Sequence, residues 1–151
     1  MIESGTINDI LQSKGATVLT VSPDTTVYAA IQLMADKNVG SLLVTDGDKL
    51  MGIMSERDYT RKVVLKGRSS RDTAVKAILS ENVVCISPTD TIEDGLRLMT
   101  DHRVRHLPVV DGSKIVGVVS IGDLVNWVIS AQRSTIHQLE SYISGFPTPP
   151  A

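Results

Sequence analysis

The stretch VSPDTTVYAAIQLMADKNVGSLLVTDGDKLMGIMSERD, residues 21–58, decides the fold because the chain contains it twice. A shift of 65 positions places it, without a gap, on ISPTDTIEDGLRLMTDHRVRHLPVVDGSKIVGVVSIGD, residues 86–123. When residues 18–58 are aligned with 83–123, 16 of the 41 positions are identical, far more than chance gives. A repeat of this size is too small to be stable alone, so it predicts two copies that pack on each other.

Each copy predicts the same order of elements, β-α-β-β-α. A β-rich run, Val18–Val21 or Val83–Ile86, ends at Ser-Pro because proline cannot continue a ladder. Apolar residues at i, i+3 and i+4 spacing then predict helices over Thr26–Lys37 and Thr91–Arg103.

A hairpin and a further helix complete each copy. Asp-Gly tolerates the positive φ that a tight hairpin turn requires, and it lies between two strand-like runs in both copies. The next helix is expected to begin at or after a Ser-x-x-Asp motif. The predicted strands are Leu42–Thr45 with Leu50–Ser55, and Leu107–Val110 with Ile115–Ser120.

Two helices lie outside the repeats. One is amphipathic, near Thr6–Gln12, and one is long, over Leu124–Ile143, with an apolar stripe from Val125 to Ile143. Gly145 can end the second helix, and a loose tail follows. The expected division is an N-terminal helical segment 1–16, the first repeat 17–66, a linker 67–79, the second repeat 80–130, and a C-terminal helix with its tail 131–151.

The composition is that of a soluble globular protein, with 42% apolar, 21% charged and only 3% aromatic residues. The formal net charge of −2 argues against a dedicated nucleic-acid binder. No apolar run approaches the ~18 residues of a membrane span, and the N-terminus lacks signal-peptide features, so we expect a cytoplasmic protein with no membrane partner.

The single cysteine, Cys85, excludes an internal disulfide, and its apolar neighbours predict a buried thiol.

The Ser-x-x-Asp motifs, Ser55–Asp58 and Ser120–Asp123, have two interpretations. As capping boxes they would close a helix N-terminus, as Thr6–Asp9 and Thr91–Asp94 also suggest. As ligand sites, the serine would donate to a phosphate near the helix N-terminus while the aspartate accepts from both ribose hydroxyls. One motif can do both, so neither interpretation excludes the other.

With its duplicated Ser-Pro, Asp-Gly and Gly-x-x-Ser-x-x-Asp elements, the pattern resembles the cystathionine-β-synthase (CBS) domain pair, or Bateman module, over about residues 17–130. The resemblance implies an α/β (α+β) fold of two β-α-β-β-α repeats related by a pseudo-twofold axis, with an added N-terminal helix and a long C-terminal helix. It also implies a regulatory module that binds an adenosine-containing ligand (AMP, ATP or NAD(H)) between the repeats, requires no metal, and forms a homodimer.

By the same resemblance, Ser55 and Ser120 lie near phosphate, and Asp58 and Asp123 bind ribose. Arg105 and His106 of the second repeat offer charged or hydrogen-bonding groups, whereas the equivalent residues of the first repeat, Gly40 and Ser41, are small. The two sites should therefore be chemically unequal. The other implied contacts are Val39, Gly40, Ser41, Val104, Arg105 and His106 before the middle strands, and Lys14, Ala16, Thr17, Leu19, Leu79, Glu81, Asn82 and Val84 near the first strands. Beside the motifs, Arg57, Lys62 and Ile121 are further candidate ligand contacts.

A basic stretch over 57–76 carries seven of the 15 lysines and arginines. It is either a solvated face or a set of cations that neutralise ligand phosphates, with Arg57, Lys62 and Arg71 as candidates. A nucleic-acid-binding or protein-interaction module using this stretch is the alternative function, although stacking aromatics are lacking. No enzyme motif is present, so catalysis is not expected, and a regulated target would be another, unidentified protein.

Overall fold

The computed structural model describes residues 5–15 and 17–144. Its elements follow the predicted order except for the first strand of the second repeat, and the predicted fold class is confirmed. They are α1 (Ile7–Lys14), β1 (Thr20–Val21), α2 (Val27–Lys37), β2 (Ser41–Asp46), β3 (Lys49–Ser55), α3 (Glu56–Tyr59) continued by a π-helical turn (Thr60–Val64), a 3₁₀ turn (Val75–Ala77), α4 (Ile92–His102), β4 (His106–Asp111), β5 (Lys114–Ser120) and α5 (Ile121–Ser144).

Each repeat forms its own small sheet around its hairpin. In the first, β1 runs parallel to β2, and β2 pairs antiparallel with β3. In the second, β4 pairs antiparallel with β5. Gly47 and Gly112 have φ values of 61° and 64°, the conformation that favours glycine in these turns.

The prediction of a strand over Val83–Ile86 is wrong. Only Ile86 forms a bridge, parallel to Val109, whereas the equivalent run in the first repeat keeps a two-residue strand, Thr20–Val21. The Val83 N–H instead donates to the nearby Glu81 carbonyl, which turns the chain before Ile86. Residues 82–84 consequently line a cleft rather than extend the sheet.

The segment before each repeat packs into the core of the other repeat. Ile7, Ile10 and Leu11 of α1 belong to the second core, with Val109 and Val119. Val75 and Ile78, from the predicted linker, belong to the first core, with Val27, Val44 and Met54. This exchange ties the two repeats into one body, because neither core is complete without a segment from outside its own repeat.

Two equivalent glycines allow these segments to approach the sheets. A Cβ built on Gly52 would lie 2.6 Å from the Ser80 carbonyl oxygen, and one built on Gly117 would lie 2.7 Å from a Leu11 methyl group. Glycine at both positions is therefore a requirement of close packing, not of backbone conformation.

Helix α5 begins three residues earlier than predicted. Leu124, Trp127 and Val128 pack in the second core, and Gly5 lies against the Trp127 ring, so the N-terminal segment covers this part of the helix. The predicted C-terminal tail, 145–151, lies outside the described residues, as does the side chain of Ile143.

The prediction of a buried Cys85 is also wrong, because the residue is exposed. Its neighbours Val84 and Ile86 both pack in the second core, so the side chain between them faces the other way. Partial desolvation raises the pKa of its thiol, which keeps the thiol protonated at neutral pH.

Candidate functional site

Both Ser-x-x-Asp motifs form helix caps. The Ser55 N–H donates to Asp58 Oδ2 over 3.0 Å, and the Asp58 N–H donates to Ser55 Oγ over 3.2 Å. The corresponding distances at Ser120 and Asp123 are 2.8 Å and 3.1 Å. The capping interpretation therefore holds for both, and ligand binding depends on what each carboxylate can still accept.

The Asp58 carboxylate is fully engaged inside the protein. Its Oδ2 also accepts from Ser55 Oγ over 3.1 Å, while Oδ1 accepts from Ser80 Oγ over 3.1 Å and lies 3.0 Å from Lys62 Nζ. Its side chain is only 10% exposed. A ribose would have to displace these donors to reach it.

The Asp123 carboxylate is more open. Its Oδ2 accepts from Lys14 Nζ over 2.7 Å and from the Ser120 N–H, while no described residue donates to its Oδ1. Its side chain is 23% exposed. Burial acts to raise the pKa of this carboxyl, but the hydrogen bonds from Lys14 and Ser120 and the charge of Lys14 outweigh it and lower the pKa.

Each aspartate lines a cleft between the two repeats. The Asp123 cleft has a volume of about 270 Å³, and the Asp58 cleft about 480 Å³. The Asp123 cleft is lined by Lys14, Thr17, Leu19, Asn38, Val39, Gly40, Ser41, Leu43, His106, Val118, Ser120 and Asp123. The Asp58 cleft is lined by Gly40, Ile53, Ser55, Glu56, Arg57, Asp58, Ser80, Asn82, Val83, Val84, Arg103, Val104, Arg105, His106 and Pro108.

The two linings correspond through the 65-residue shift but differ in charge. Asn38 of the Asp123 cleft corresponds to Arg103 of the Asp58 cleft, and Gly40 corresponds to Arg105. Arginines thus line the wall of the Asp58 cleft where its counterpart carries neutral residues. The predicted inequality of the two sites is present in the geometry, and it is larger than predicted because Arg103 adds to Arg105.

His106 lies where the two clefts meet, and it lines both of them together with Gly40. Burial is the main cause that lowers the pKa of His106; Lys14 and Arg105 lower it further, while Asp123 and Glu56 oppose them. The imidazole is therefore predominantly neutral at pH 7, and it offers a hydrogen-bonding group rather than a cation.

The structure brings most of the predicted contacts together. In the Asp123 cleft are Lys14, Thr17, Leu19, Val39, Gly40, Ser41, His106, Ser120 and Asp123; in the Asp58 cleft are Ser55, Arg57, Asp58, Asn82, Val84, Val104 and Arg105. Leu79, Glu81, Lys62 and Ile121 line neither cleft, and Ala16 lies outside the described residues.

Some lining residues were missed by the sequence reasoning. Asn38 and Arg103 end α2 and α4 in the left-handed conformation, with φ of 54° each, and their equivalence in the repeat could have identified them. Ser80 could not have been found in this way, because its role depends on a contact with Asp58 across 22 positions.

Three cations of the basic stretch have separate partners within the protein. Lys62 bonds Asp58 and the Ile78 carbonyl, Lys76 pairs with Asp24 at 3.0 Å, and the Arg71 guanidinium lies 4.0 Å from the centre of the Tyr28 ring. Of the candidate phosphate ligands in this stretch, only Arg57 lines a cleft.

Over residues 5–15 and 17–144, histidine, cysteine and acidic side chains nowhere gather in threes as a metal centre would need. The described helices include none with both the length and the apolarity of a membrane span.

The family model of the CBS domain matches residues 7–65 and 75–130. The chain therefore belongs to the CBS-domain proteins, and it carries a CBS domain pair, a regulatory module. Among characterised sequences it is similar to the mitochondrial CBS domain-containing protein CBSX3 of Arabidopsis thaliana, with 40% identity over 95% of this chain and 74% of the relative.

Solved structures agree with this assignment. A CBS-domain protein from Burkholderia ambifaria is 50% identical, with a TM-score of 0.82 over 85% of this chain and 96% of the other. The CBS domain pair of protein MJ0100, solved with 5′-methylthioadenosine and S-adenosylmethionine, has a TM-score of 0.73 over 82% of this chain and 94% of the other. At 21% identity, this second likeness concerns the fold alone.

Proposed function

We propose that this CBS pair is a sensor that binds an adenosine-containing nucleotide, AMP, ATP or NAD(H), in the Asp123 cleft. The observation that carries the proposal is the Asp123 carboxylate, which lines a cleft between the repeats and has one oxygen without a described donor. A carboxylate fixed by its own cap is suited to accept hydrogen bonds from ribose hydroxyls.

The charges of the cleft support a phosphorylated ligand. Lys14 lies 2.7 Å from Asp123, and His106 stands at the junction with the arginine-lined Asp58 cleft. A phosphate on a ribose bound at Asp123 would therefore have Lys14 in the same cleft, with Arg103 and Arg105 in the adjoining Asp58 cleft. That the MJ0100 pair was solved with adenosine compounds gives the proposal further support, as an analogy of fold.

The proposal assigns the chain a regulatory role without catalysis. Ligand binding would change the relative stability of states of the repeat pair, and a separate protein would respond to that change. The alternative of nucleic-acid binding is less favoured, because Lys62, Lys76 and Arg71 of the basic stretch each have a partner within the protein.

The test is calorimetric titration and thermal shift with AMP, ADP, ATP, NAD⁺ and NADH, with GMP and CMP as comparisons. A ligand that binds only the folded state at 100 times its Kd stabilises that state by about 2.7 kcal/mol. We expect stabilisation by adenosine nucleotides and little by the comparisons. Absence of heat and of stabilisation with every adenosine nucleotide at millimolar concentration would overturn the proposal.

A further inference from the structure

Three arginines, Arg57, Arg103 and Arg105, line the Asp58 cleft, and all three are exposed. In the part of the chain that the structure describes, no carboxylate lies within ion-pair distance of their guanidinium groups, and no group accepts a hydrogen bond from them. Lys14 and Lys62, in contrast, each pair with an aspartate. The three guanidinium groups are therefore available to a ligand.

The acidic groups of this cleft do not balance its arginines. Two carboxylates line the cleft, those of Glu56 and Asp58. Asp58 is already paired with Lys62 at 3.0 Å, so Glu56 alone among the described lining residues opposes three positive charges. This excess of positive charge attracts an anion, and the planar fork of an arginine matches two oxygens of a phosphate.

Apolar side chains also line the Asp58 cleft. Its volume of about 480 Å³ lies in the range of small-molecule sites and exceeds what a phosphate group alone fills. The cleft therefore suits an organic phosphate, with the phosphate groups at the arginines and the body of the ligand against the apolar residues. These are Ile53, Val83, Val84, Val104 and Pro108.

The Asp58 carboxylate itself is not available to a ribose. Hydrogen bonds from Ser55 and Ser80 and the ion pair with Lys62 engage both of its oxygens, and its side chain is only 10% exposed. A ligand in this cleft is therefore recognised by its phosphates rather than by a pair of ribose hydroxyls.

The backbone of Arg103 gives independent support for a binding role. Arg103 ends α4 with a φ of 54°, in the left-handed region that asparagine tolerates and that most other side chains avoid. Its equivalent in the first repeat, Asn38, has the same φ. Residues held in such a conformation beside a cleft are typical of functional positions. An anion site explains why an arginine stands where asparagine or glycine would suit the backbone better.

We propose that the Asp58 cleft is a second ligand site, which binds an organic phosphate through Arg103 and Arg105, with Arg57 beside them, and does not require ribose hydroxyls. This inference goes beyond the proposed function, which concerns a ribose-dependent site at Asp123. The two copies of the Ser-x-x-Asp motif then belong to one site that recognises ribose and one that recognises phosphate.

Calorimetric titration with inorganic tripolyphosphate at fixed ionic strength tests the role of the arginines. Arg103→Asn introduces the residue that the first repeat carries at the same φ, and it should raise Kd about tenfold through the loss of a charge-assisted hydrogen bond. The double variant Arg103→Asn/Arg105→Gly gives this wall the equivalent residues of the Asp123 cleft, and it should raise Kd about 100-fold.

The matched control is Arg68→Asn, which removes the same charge outside both clefts and should change Kd less than about threefold. No binding of tripolyphosphate at millimolar concentration overturns the proposal. An equal loss in Arg68→Asn and Arg103→Asn also overturns it, because any surface cation would then have the same effect. Since asparagine suits the left-handed conformation, Arg103→Asn should keep the melting temperature of the original chain, which separates lost binding from lost folding.

Titration with 2′,3′-dideoxy-ATP tests the ribose requirement and separates this inference from the proposed function. This nucleotide carries the phosphates but lacks both hydroxyls that Asp123 would bind. We expect it to bind the intact chain, and Arg103→Asn to raise its Kd about tenfold, as for tripolyphosphate. Failure of the dideoxy nucleotide to bind, or a Kd that Arg103→Asn leaves unchanged, overturns the proposal. The proposed function fails on a different result, namely ATP binding no more tightly than its dideoxy form while the dependence on Arg103 remains.

Discussion

The Asp58 cleft and the Asp123 cleft contain the same repeated Ser-x-x-Asp motif, but the two aspartate carboxylates have different roles. Asp58 accepts from Ser55 and Ser80, pairs with Lys62 and is nearly buried, so it ties Ser80, directly after the linker, to the first repeat. Asp123 forms the same cap but keeps an oxygen without a described donor. An identical local motif therefore fixes the position of a carboxylate, while the distant residues around it decide whether that carboxylate is available.

The segments that pack beside the two carboxylates bring different side chains. The segment that packs beside Asp58 brings a serine, Ser80, whose hydroxyl bonds Asp58 Oδ1. The segment that packs beside Asp123 brings Lys14, whose single ammonium bonds only Oδ2. We therefore expect changes at Asp123 to act mainly on ligand affinity, and changes at Asp58 to act mainly on stability.

The largest effect is expected for Asp123→Ala. Loss of hydrogen bonds between a carboxylate and ribose should cost about 2–4 kcal/mol of affinity for an adenosine nucleotide. Isothermal calorimetry measures it, with Asp94→Ala as the matched control, because Asp94 forms the same capping box with Thr91 but lines neither cleft. An equal loss in both variants would show that the cap, rather than ribose binding, determines affinity.

The next largest effect is the loss of stability in Asp58→Ala. Removing a nearly buried carboxylate that accepts from three residues should lower the free energy of unfolding by about 2–3 kcal/mol. Asp123→Ala should lower it by about 1 kcal/mol, the usual cost of a lost cap. Urea denaturation of the two variants gives the comparison. If both variants lose the same free energy of unfolding, the additional contacts of Asp58 do not stabilise the fold more than the cap of Asp123 does.

Much of the fold could be predicted because its signals are local. Thr26 and Thr91 cap their helices, and Gly47 and Gly112 occupy the predicted turns. The exchange of segments between the cores could not be predicted, because periodicity shows that a residue is buried but not which core it joins. The difference between the two aspartates was likewise hidden, since it rests on contacts 22 and 109 positions apart.

The glycines beneath the exchanged segments should also respond unequally. In Gly52→Ala the new methyl group meets the Ser80 backbone carbonyl at 2.6 Å, and in Gly117→Ala it meets the movable end of the Leu11 side chain. Both variants overpack the core. We expect the free energy of unfolding to fall by about 2–3 kcal/mol in Gly52→Ala and by about 1 kcal/mol in Gly117→Ala. Thermal unfolding of both variants checks the order. A larger loss in Gly117→Ala would mean that α1 is the more rigid of the two segments.

The smallest effect concerns His106, which both clefts share. Burial lowers the pKa of this imidazole in the folded chain below its ordinary 6.5, so the unfolded chain binds more protons between those two values. Stability should therefore rise with pH through that window and change little above about 6.5 on account of this group. In His106→Gln this part of the slope should disappear. Urea denaturation between pH 5 and 8 measures it.

The variant Asp123→Asn tests whether the Asp123 charge acts on the pKa of His106. Asp123 raises the pKa of His106 through its charge, so its removal should lower that pKa further and extend the slope to more acidic pH. NMR titration of the imidazole, assigned by comparison with His106→Gln, follows the shift directly. Asp58→Asn is the matched control, because Asp58 is not among the charges that act on His106. An equal shift in the two variants would mean that His106 responds to a general change in the repeat pair rather than to the carboxylate of the Asp123 cleft.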